Sequence, residues 1–275
     1  DPATLVDGVA DLVARVAAAW GGPAAPPVRL LPTHLPFAAL PAPPQDRSAV
    51  PIGIEETTLG PVWLDLDAEQ HFLVFGDVES GKSTLLRTIA AGITTRWTPA
   101  EAKIIAFDFG RGLLGAVPRD HLIAHVLNAT TAPEIVANIV SALRERASSV
   151  AVDPATGHVA TWTGPRLFVM IDDYQLIATS SGNPLAPLID FVPQARDIGL
   201  HVIVARSSAG AGRALFDPLL QRLRDMGAPG VLLSGSRDEG ALLGSVRMEP
   251  FPPGRGRYVH RRIGDLLVQT PQRDG

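Results

Sequence analysis

Leu5, Val9, Leu12, Val13 and Val16 recur at helical spacing, with Thr4 and Asp7 near the start. The pattern predicts a helix that stops at Trp20-Gly21-Gly22-Pro23. Residues 21 to 51 are dense in proline and lack a period, so they read as a linker or strap. Within them, Val28-Arg29-Leu30-Leu31-Pro32 and Leu35-Pro36-Phe37 have the apolar character to lie on a domain surface. From about residue 52, short apolar runs alternate with helical stretches. Val62 to Asp67 alternates as an edge strand does. His71 to Phe75, Lys103 to Phe107, Leu122 to Leu127 and His201 to Ala205 read as further strands, with Val231 to Leu233 as a short one. Leu167 to Ile171 is unbroken apolar sequence, the mark of a central parallel strand buried on both faces. Lys82 to Arg96 is helix-like. Thr131-Ala132-Pro133-Glu134 reads as a capping box that opens a helix buried through Ile135, Ile139 and Leu143. Tyr258 to Ile263 and Leu266 to Gln269 flank Gly264-Asp265, a two-residue hairpin signal. The alternation predicts an α/β fold with a mostly parallel central sheet flanked by helices. Two parts follow: a helix with a Pro-rich strap over 1–51 and the α/β domain over 52–275.

Composition narrows the class. The chain has 275 residues, 46% of them hydrophobic, and a mean hydropathy of +0.17, which excludes long-range disorder. It has no cysteine, which excludes disulfides, zinc fingers and thiol catalysis. No apolar run approaches the ~18 residues of a membrane span. The chain begins with Asp and shows no signal peptide, so it reads as a piece of a longer protein. A net charge of −4 exerts no global pull towards nucleic acid.

Residues 76 to 83 read Gly-Asp-Val-Glu-Ser-Gly-Lys-Ser, a full match to G-x-x-x-x-G-K-[ST] between an apolar strand and a helix. Such a loop turns backbone N–H groups inward as an anion nest, and the helix N-terminus adds positive character. This predicts a nucleotide site at Gly76, Asp77, Val78, Glu79, Ser80, Gly81, Lys82, Ser83 and Thr84. Gly81 admits the phosphates, Lys82 reaches the β- and γ-phosphates, the Ser83 hydroxyl ligates Mg²⁺, and Thr84 reaches the α-phosphate. Glu79 stands where many such loops carry glycine. A carboxylate beside a triphosphate is repelled unless it points to solvent.

Leu167-Phe168-Val169-Met170-Ile171-Asp172-Asp173 is an apolar strand ending in two acids. In phosphate-loop NTPases the first acid of such a strand holds the Mg²⁺ and the next activates the attacking water. Asp172 is therefore the expected metal residue and Asp173 the expected catalytic base. Glutamate is commoner at the second position. Aspartate is one methylene shorter, which predicts slow hydrolysis. Asp108, after the Ile104 to Phe107 run, either faces the nucleotide edge or simply starts a turn.

A third segment, Gln194-Ala195-Arg196-Asp197-Ile198-Gly199-Leu200-His201 followed by Val202 to Ser208, resembles the FtsK/SpoIIIE ring ATPases. Within that group the likeness is to the EccC ATPases of type VII secretion. It also takes in Val28 to Pro32, His71 to Asp77, Gly227 to Gly235 and Pro252-Pro253-Gly254-Arg255-Gly256-Arg257. The resemblance implies a RecA-like phosphate-loop fold with ATP and Mg²⁺, in the third, C-terminal module of such a protein. It implies a place at the cytoplasmic face of a membrane complex and preceding ATPase modules as partners. It also implies a ring whose sites are completed by a neighbour's arginines. Secreted helical-hairpin substrates would be recognised through a C-terminal signal. Ser207, in Ala205-Arg206-Ser207 where the family shows Ala-Thr-Gln, becomes a weak γ-phosphate sensor. Arg206 is either a contact within the chain or a surface residue. Arg196 is a finger for an adjacent subunit or a plain helix-terminal arginine.

Two other readings compete. One is an FtsK-type DNA translocase, disfavoured by net charge although eleven arginines face six acids over residues 196 to 262. The other is a recruitment module in which ATP is structural. For the substrate, the stretch from Leu242 to Phe251 predicts an apolar groove for a helical signal, with at least two of Leu242, Leu243, Met248 and Phe251 partly exposed.

Overall fold

The computed structural model describes residues 2–23, 29–44, 48–150 and 161–272. The chain divides into two compact units, Asp1–Leu30 and Leu31–Gly275. The first holds helix α1 (Pro2–Ala19), whose apolar residues form the expected stripe. The second starts well before residue 52. Leu31 and Leu35 are buried, the Arg255 guanidinium donates to the Leu31 and Pro32 carbonyls at 2.9 Å, and the Gln272 amide donates to Leu35 O at 2.7 Å. The strap is thus bound by its own backbone carbonyls, a contact that hydropathy does not register.

The second unit is an α/β layer structure. Its strands are β1 (Ala49–Glu55), β2 (Pro61–Asp65), β3 (His71–Gly76), β4 (Ala102–Asp108), β5 (Leu122–Val126), β6 (Arg166–Asp172), β7 (Leu200–Ser207), β8 (Gly230–Leu232), β9 (Ala241–Leu243), β10 (Val246–Arg247), β11 (Arg255–His260) and β12 (Gly264–Gln269). Ten of them form one sheet in the order β2-β1-β12-β11-β8-β3-β7-β6-β4-β5, while β9 and β10 pair separately. From β8 to β5 the sheet is parallel, and from β8 outward to β2 it is antiparallel. The helices are α2 (Lys82–Arg96), α3 (Ala132–Ser149), α4 (Tyr174–Ile177), α5 (Ala211–Ala214) and α6 (Pro218–Asp225).

Successive side chains of a strand point to opposite faces. Phe72, Val74, Ile104, Ala106, Phe168, Met170, Ile203 and Ala205 therefore line one core, against Leu85, Leu86, Ile89 and Ile93 of α2. Leu73, Phe75, Phe107, Val169, Ile171, Val202 and Val204 line the other, against α3 and α6. Both faces are dry, which accounts for the unbroken apolar runs.

Three local expectations are corrected. The helix α3 does not open on a capping box: Thr131 makes no side-chain cap, and the Asn128 carboxamide oxygen accepts from the Thr130 and Thr131 amides instead. The C-terminal hairpin turns at residues 261–263, not at Gly264-Asp265. His260 pairs with Gly264, whose φ of 90° is left-handed, the geometry of a three-residue loop ending on glycine. Residues 186–194 form 3-10 turns, and Pro193 inside them bars a regular helix before Arg196.

His71 and His201 stand at the starting ends of β3 and β7, both buried. Burial holds His71 down to about 4 and His201 down to about 3. The His201 ring stacks on Phe168 at 4.4 Å. Both rings are neutral in the fold, whereas an unfolded histidine takes a proton near pH ~6.5. Their contribution is intact above that pH and is lost as pH falls towards 4, each at on the order of 1.4 kcal/mol per pH unit. Together the two histidines should lower the stability read by urea unfolding at pH 5 by on the order of 3–4 kcal/mol relative to pH 7, partly offset by buried carboxyl groups with raised pKa. In His201→Phe, which keeps the stack, the loss between pH 7 and pH 5 should shrink by on the order of 2 kcal/mol.

Candidate functional site

The parallel strands deliver their C-terminal ends to one edge of the sheet. There β3 ends at Gly76 and α2 begins at Lys82, with residues 77–81 between. The loop closes tightly: a Cβ on Gly76 would lie under 3.0 Å from the Ser80 hydroxyl oxygen. Asp77 O gathers three donors, the Ser80 amide at 3.3 Å, the Ser80 hydroxyl at 2.8 Å and the Lys82 ammonium at 2.8 Å. Lys82 is nearly buried, and an ammonium has three donors, so this contact leaves room for an anion. Three neighbours tether the loop. The Asp77 amide donates to Ser234 O at 2.8 Å, the Ser208 hydroxyl donates to the Asp77 carboxylate, and the Gly254 amide donates to Ser80 O at 2.9 Å. Glu79 is exposed, and its φ of 60° is left-handed.

Asp172 ends β6 with its side chain fully buried. One carboxylate oxygen accepts from the Asp173 amide at 3.1 Å, and the other, Oδ2, has no partner among the described residues. A Cβ placed on Gly112 would fall under 3.0 Å from both Asp172 Oδ2 and Ser83 Oγ, so these two oxygens converge on one small space. Only a glycine leaves that space open. Burial pushes the Asp172 acid up to about 6; the facing Ser83 hydroxyl opposes the rise, while the Asp173 and Asp108 carboxylates add to it. A buried oxygen without a hydrogen bond beside a serine hydroxyl suits a hydrated divalent cation, so the residues fit Mg²⁺.

Asp173 sits at the mouth of this space with φ 48°. Its Oδ1 accepts from the Gln175 side-chain amide at 3.0 Å, and Gln175 Oε1 accepts from the Ser207 amide at 2.9 Å. Gln175 thus joins the expected base to the expected sensor strand. Sequence reasoning missed it, and its signal was weak: a polar residue two places after the acid pair. Ser207 pairs with Gly76 and shares the α2 face with Ile203 and Ala205, so strand alternation aims it at the phosphate side.

Arg206 is not a surface residue and makes a contact within the chain. It is 8% exposed and lies on the opposite face with Val202 and Val204, where its Nη2 donates to Gly210 O at 3.4 Å. Arg196 is exposed and precedes β7, at the edge of the sheet away from the phosphate loop, with its guanidinium on Asp67 O at 2.8 Å. It is out of reach of the loop of its own chain. The apolar groove expected over residues 242–251 is also corrected. Leu242, Leu243 and Met248 are buried in the α3-side core, and only Phe251 of the four is partly exposed, because β9 covers the sheet instead of lining a groove. Beside it lies a cleft of about 430 Å³, lined by Leu243, Val246, Val259, Arg224 and Arg261.

Comparison with known proteins agrees with the geometry. The FtsK/SpoIIIE family profile matches residues 42–206. The chain is 47% identical over 272 residues to the ESX secretion system protein EccC of Thermomonospora curvata, covering 98% of this chain and 21% of that protein. It is 40% identical over 253 residues to the ESX-4 secretion system protein EccC4 of Mycobacterium tuberculosis, covering 91% and 20%. The chain therefore spans about a fifth of the length of these relatives. Among solved structures it is similar to the cytoplasmic domain of the T. curvata type VII secretion ATPase EccC, with a TM-score of 0.89 and 46% identity over 100% of this chain and 32% of that one. It is also similar to T. curvata EccC (ATPases 2 and 3) in complex with a signal sequence peptide, with a TM-score of 0.88 and 46% identity over 99% and 49%.

The left-handed backbone at Glu79 costs an L-residue about 1–2 kcal/mol. Glu79→Gly should therefore raise stability by about 1 kcal/mol, partly offset by the looser unfolded chain, as read from the thermal midpoint.

Proposed function

The chain belongs to the FtsK/SpoIIIE family, and from that premise we propose that it is an ATP-binding, weakly or conditionally hydrolysing module of a type VII secretion ATPase that also docks export substrate. One observation carries the reading: Lys82 and Ser83, at the start of α2, and the unpartnered Asp172 oxygen, at the end of β6, meet at one sheet edge beside a loop with left-handed backbone at Glu79 and Gly81. In this proposal residues 76–84 hold the triphosphate, with Lys82 on the β- and γ-phosphates and Thr84 on the α-phosphate. Ser83 and Asp172 hold Mg²⁺, which when bound neutralises charge on the phosphate oxygens. Asp173 takes the proton of the attacking water, with its carboxylate turned by Gln175, and Ser207 reports the γ-phosphate. Arg196 acts on the site of an adjacent module or subunit in a ring, since it faces away from its own.

Substrate docking rests on the T. curvata EccC complex with a signal sequence peptide. For this chain we place the peptide in the cleft beside β9, whose partly exposed Val246 and Val259 and rim of Arg224 and Arg261 suit an amphipathic helix end. No helix among the described residues is long and apolar enough to cross a membrane. A place at the cytoplasmic face of a membrane-anchored complex, with preceding ATPase modules as partners, is part of the same proposal. DNA tracking has less support: Arg257 is paired with Asp265 and Glu249, Arg237 with Glu249, and Arg206 is buried.

Mg-ATP should raise the thermal midpoint by mass action, and Lys82→Ala should abolish the rise. An undiminished rise in that variant would place the nucleotide elsewhere. Turnover of the wild-type chain should stay below about 1 per second, and Asp173→Glu, which restores reach to the water, should increase it several-fold. A steady-state phosphate-release assay reads both, and fast wild-type turnover would refute the argument from Asp173.

A further inference from the structure

Asp108 has no role in the reading above, yet it stands directly beside Asp172. It ends β4 as Asp172 ends β6, and the two are directly paired across the parallel ladder. Paired residues on neighbouring strands stand ~4.8 Å apart with side chains on the same face. That face is the α2 side, since Ile104 and Ala106 on β4 and Phe168 and Met170 on β6 all pack there. Asp108 is completely buried. Its Oδ2 accepts two hydrogen bonds, from the Leu113 amide at 2.9 Å and from His125 Nε2 at 2.9 Å. Its Oδ1 is buried with no partner among the described residues.

This division of labour within one carboxylate is informative. Anchoring the loop after β4 and engaging β5 uses Oδ2 alone. A purely structural acid has no use for a buried, unpaired second oxygen, which is costly to desolvate. Asp172 is split in the same way, one oxygen bonded and one bare. Two bare oxygens on paired strand ends, beside Ser83, form one side of a compartment that needs positive charge or water donors. The Arg87 guanidinium donates to Gly112 O and so holds the loop that closes this compartment, but with its charge turned to that carbonyl.

We propose that Asp108 is a positioning residue of the magnesium site, its free Oδ1, beside Asp172, being placed to accept from water on a bound cation while His125 and Leu113 lock the carboxylate in place. The inference rests on the nucleotide reading above. It adds a third acid, from a strand outside both recognised motifs, to the groups that set metal affinity. Outer groups that orient a metal's ligands are commonly worth about 10–100-fold in affinity.

Asp108→Asn tests it, because the amide oxygen can still accept from Leu113 and His125 while an NH2 donor takes the place of the free oxygen. The readout is the Mg²⁺ concentration that gives half of the ATP-induced thermal shift, beside ADP binding in EDTA by isothermal titration. The proposal expects a midpoint about tenfold higher in Mg²⁺ with metal-free ADP affinity unchanged. An unchanged Mg²⁺ midpoint, or an equal loss in both assays, would overturn it in favour of a purely structural acid. Should Asp108→Asn fold poorly, His125→Leu removes one of the two locks and leaves the acid. The Mg²⁺ midpoint should then rise several-fold, and no rise would equally sink the idea. If wild type shows no ATP-induced shift at any Mg²⁺ level, it is the nucleotide reading that fails, and this inference falls with it.

Discussion

Hydrogen-bond register across β3, β7, β6 and β4 is the constraint on which the site depends. Gly76 pairs with Ser207, and Asp108 pairs with Asp172. Alternation then puts all four on the α2 face at the same edge, where the helix also presents Lys82 and Ser83. A slip of one residue in any of these strands would turn its terminal polar group into the opposite core. The apolar runs behind them prevent this, because both faces are dry and each residue has a specific partner. The buried hydrophobic register is therefore what aims the polar residues, and the charged edge is stable only because the strands behind it are not free to shift.

The phosphate loop has a second set of attachments that runs to distant parts of the chain. Gly254 binds Ser80, the Thr270 amide and hydroxyl bind Gly254 O, and the Gln269 and Gln272 side chains bind Pro253 O. Gln272 in turn binds the strap at Leu35 and Phe37, and Arg255 binds it at Leu31 and Pro32. The Pro-rich segment and the C-terminal hairpin are thus connected to the nucleotide loop by an unbroken series of hydrogen bonds. Proline suits the strap role: with no amide hydrogens of their own to satisfy, these residues offer carbonyls and a stiff path.

The two departures from common phosphate-loop sequences have a shared backbone feature. Glu79 and Asp173 both occupy left-handed conformations that glycine or asparagine would accept with less strain. At Glu79 the consequence is local strain with the carboxylate kept in solvent. At Asp173 it accompanies a carboxylate that accepts from the Gln175 side-chain amide. Strain of this kind concentrates where surrounding structure over-determines the conformation. The tethers around Asp77 and the helix start at Tyr174 supply that structure here.

Sequence alone determined the α/β class, the central strands, the phosphate loop and the acid pair. Their signals are local: five apolar residues in a row mean a strand buried on both faces, and a glycine-flanked lysine before a helix means an anion nest. What lay outside local pattern was decided by tertiary structure. Residues 31–44 look like linker because proline hides a strap whose partners are more than two hundred residues away. Leu242, Leu243 and Met248 look like a groove floor until β9 is seen to lie on the sheet. Arg206 and Ser207 are neighbours in sequence, but the strand pleat sends one into the α3-side core region and the other to the α2 face beside Gly76. In sequence Asp108 reads as a residue that starts a turn or one that faces the nucleotide edge. Its place was settled by the pairing of β4 with β6, a contact between strands whose register no single stretch of sequence encodes, because it is fixed by the packing of both faces at once.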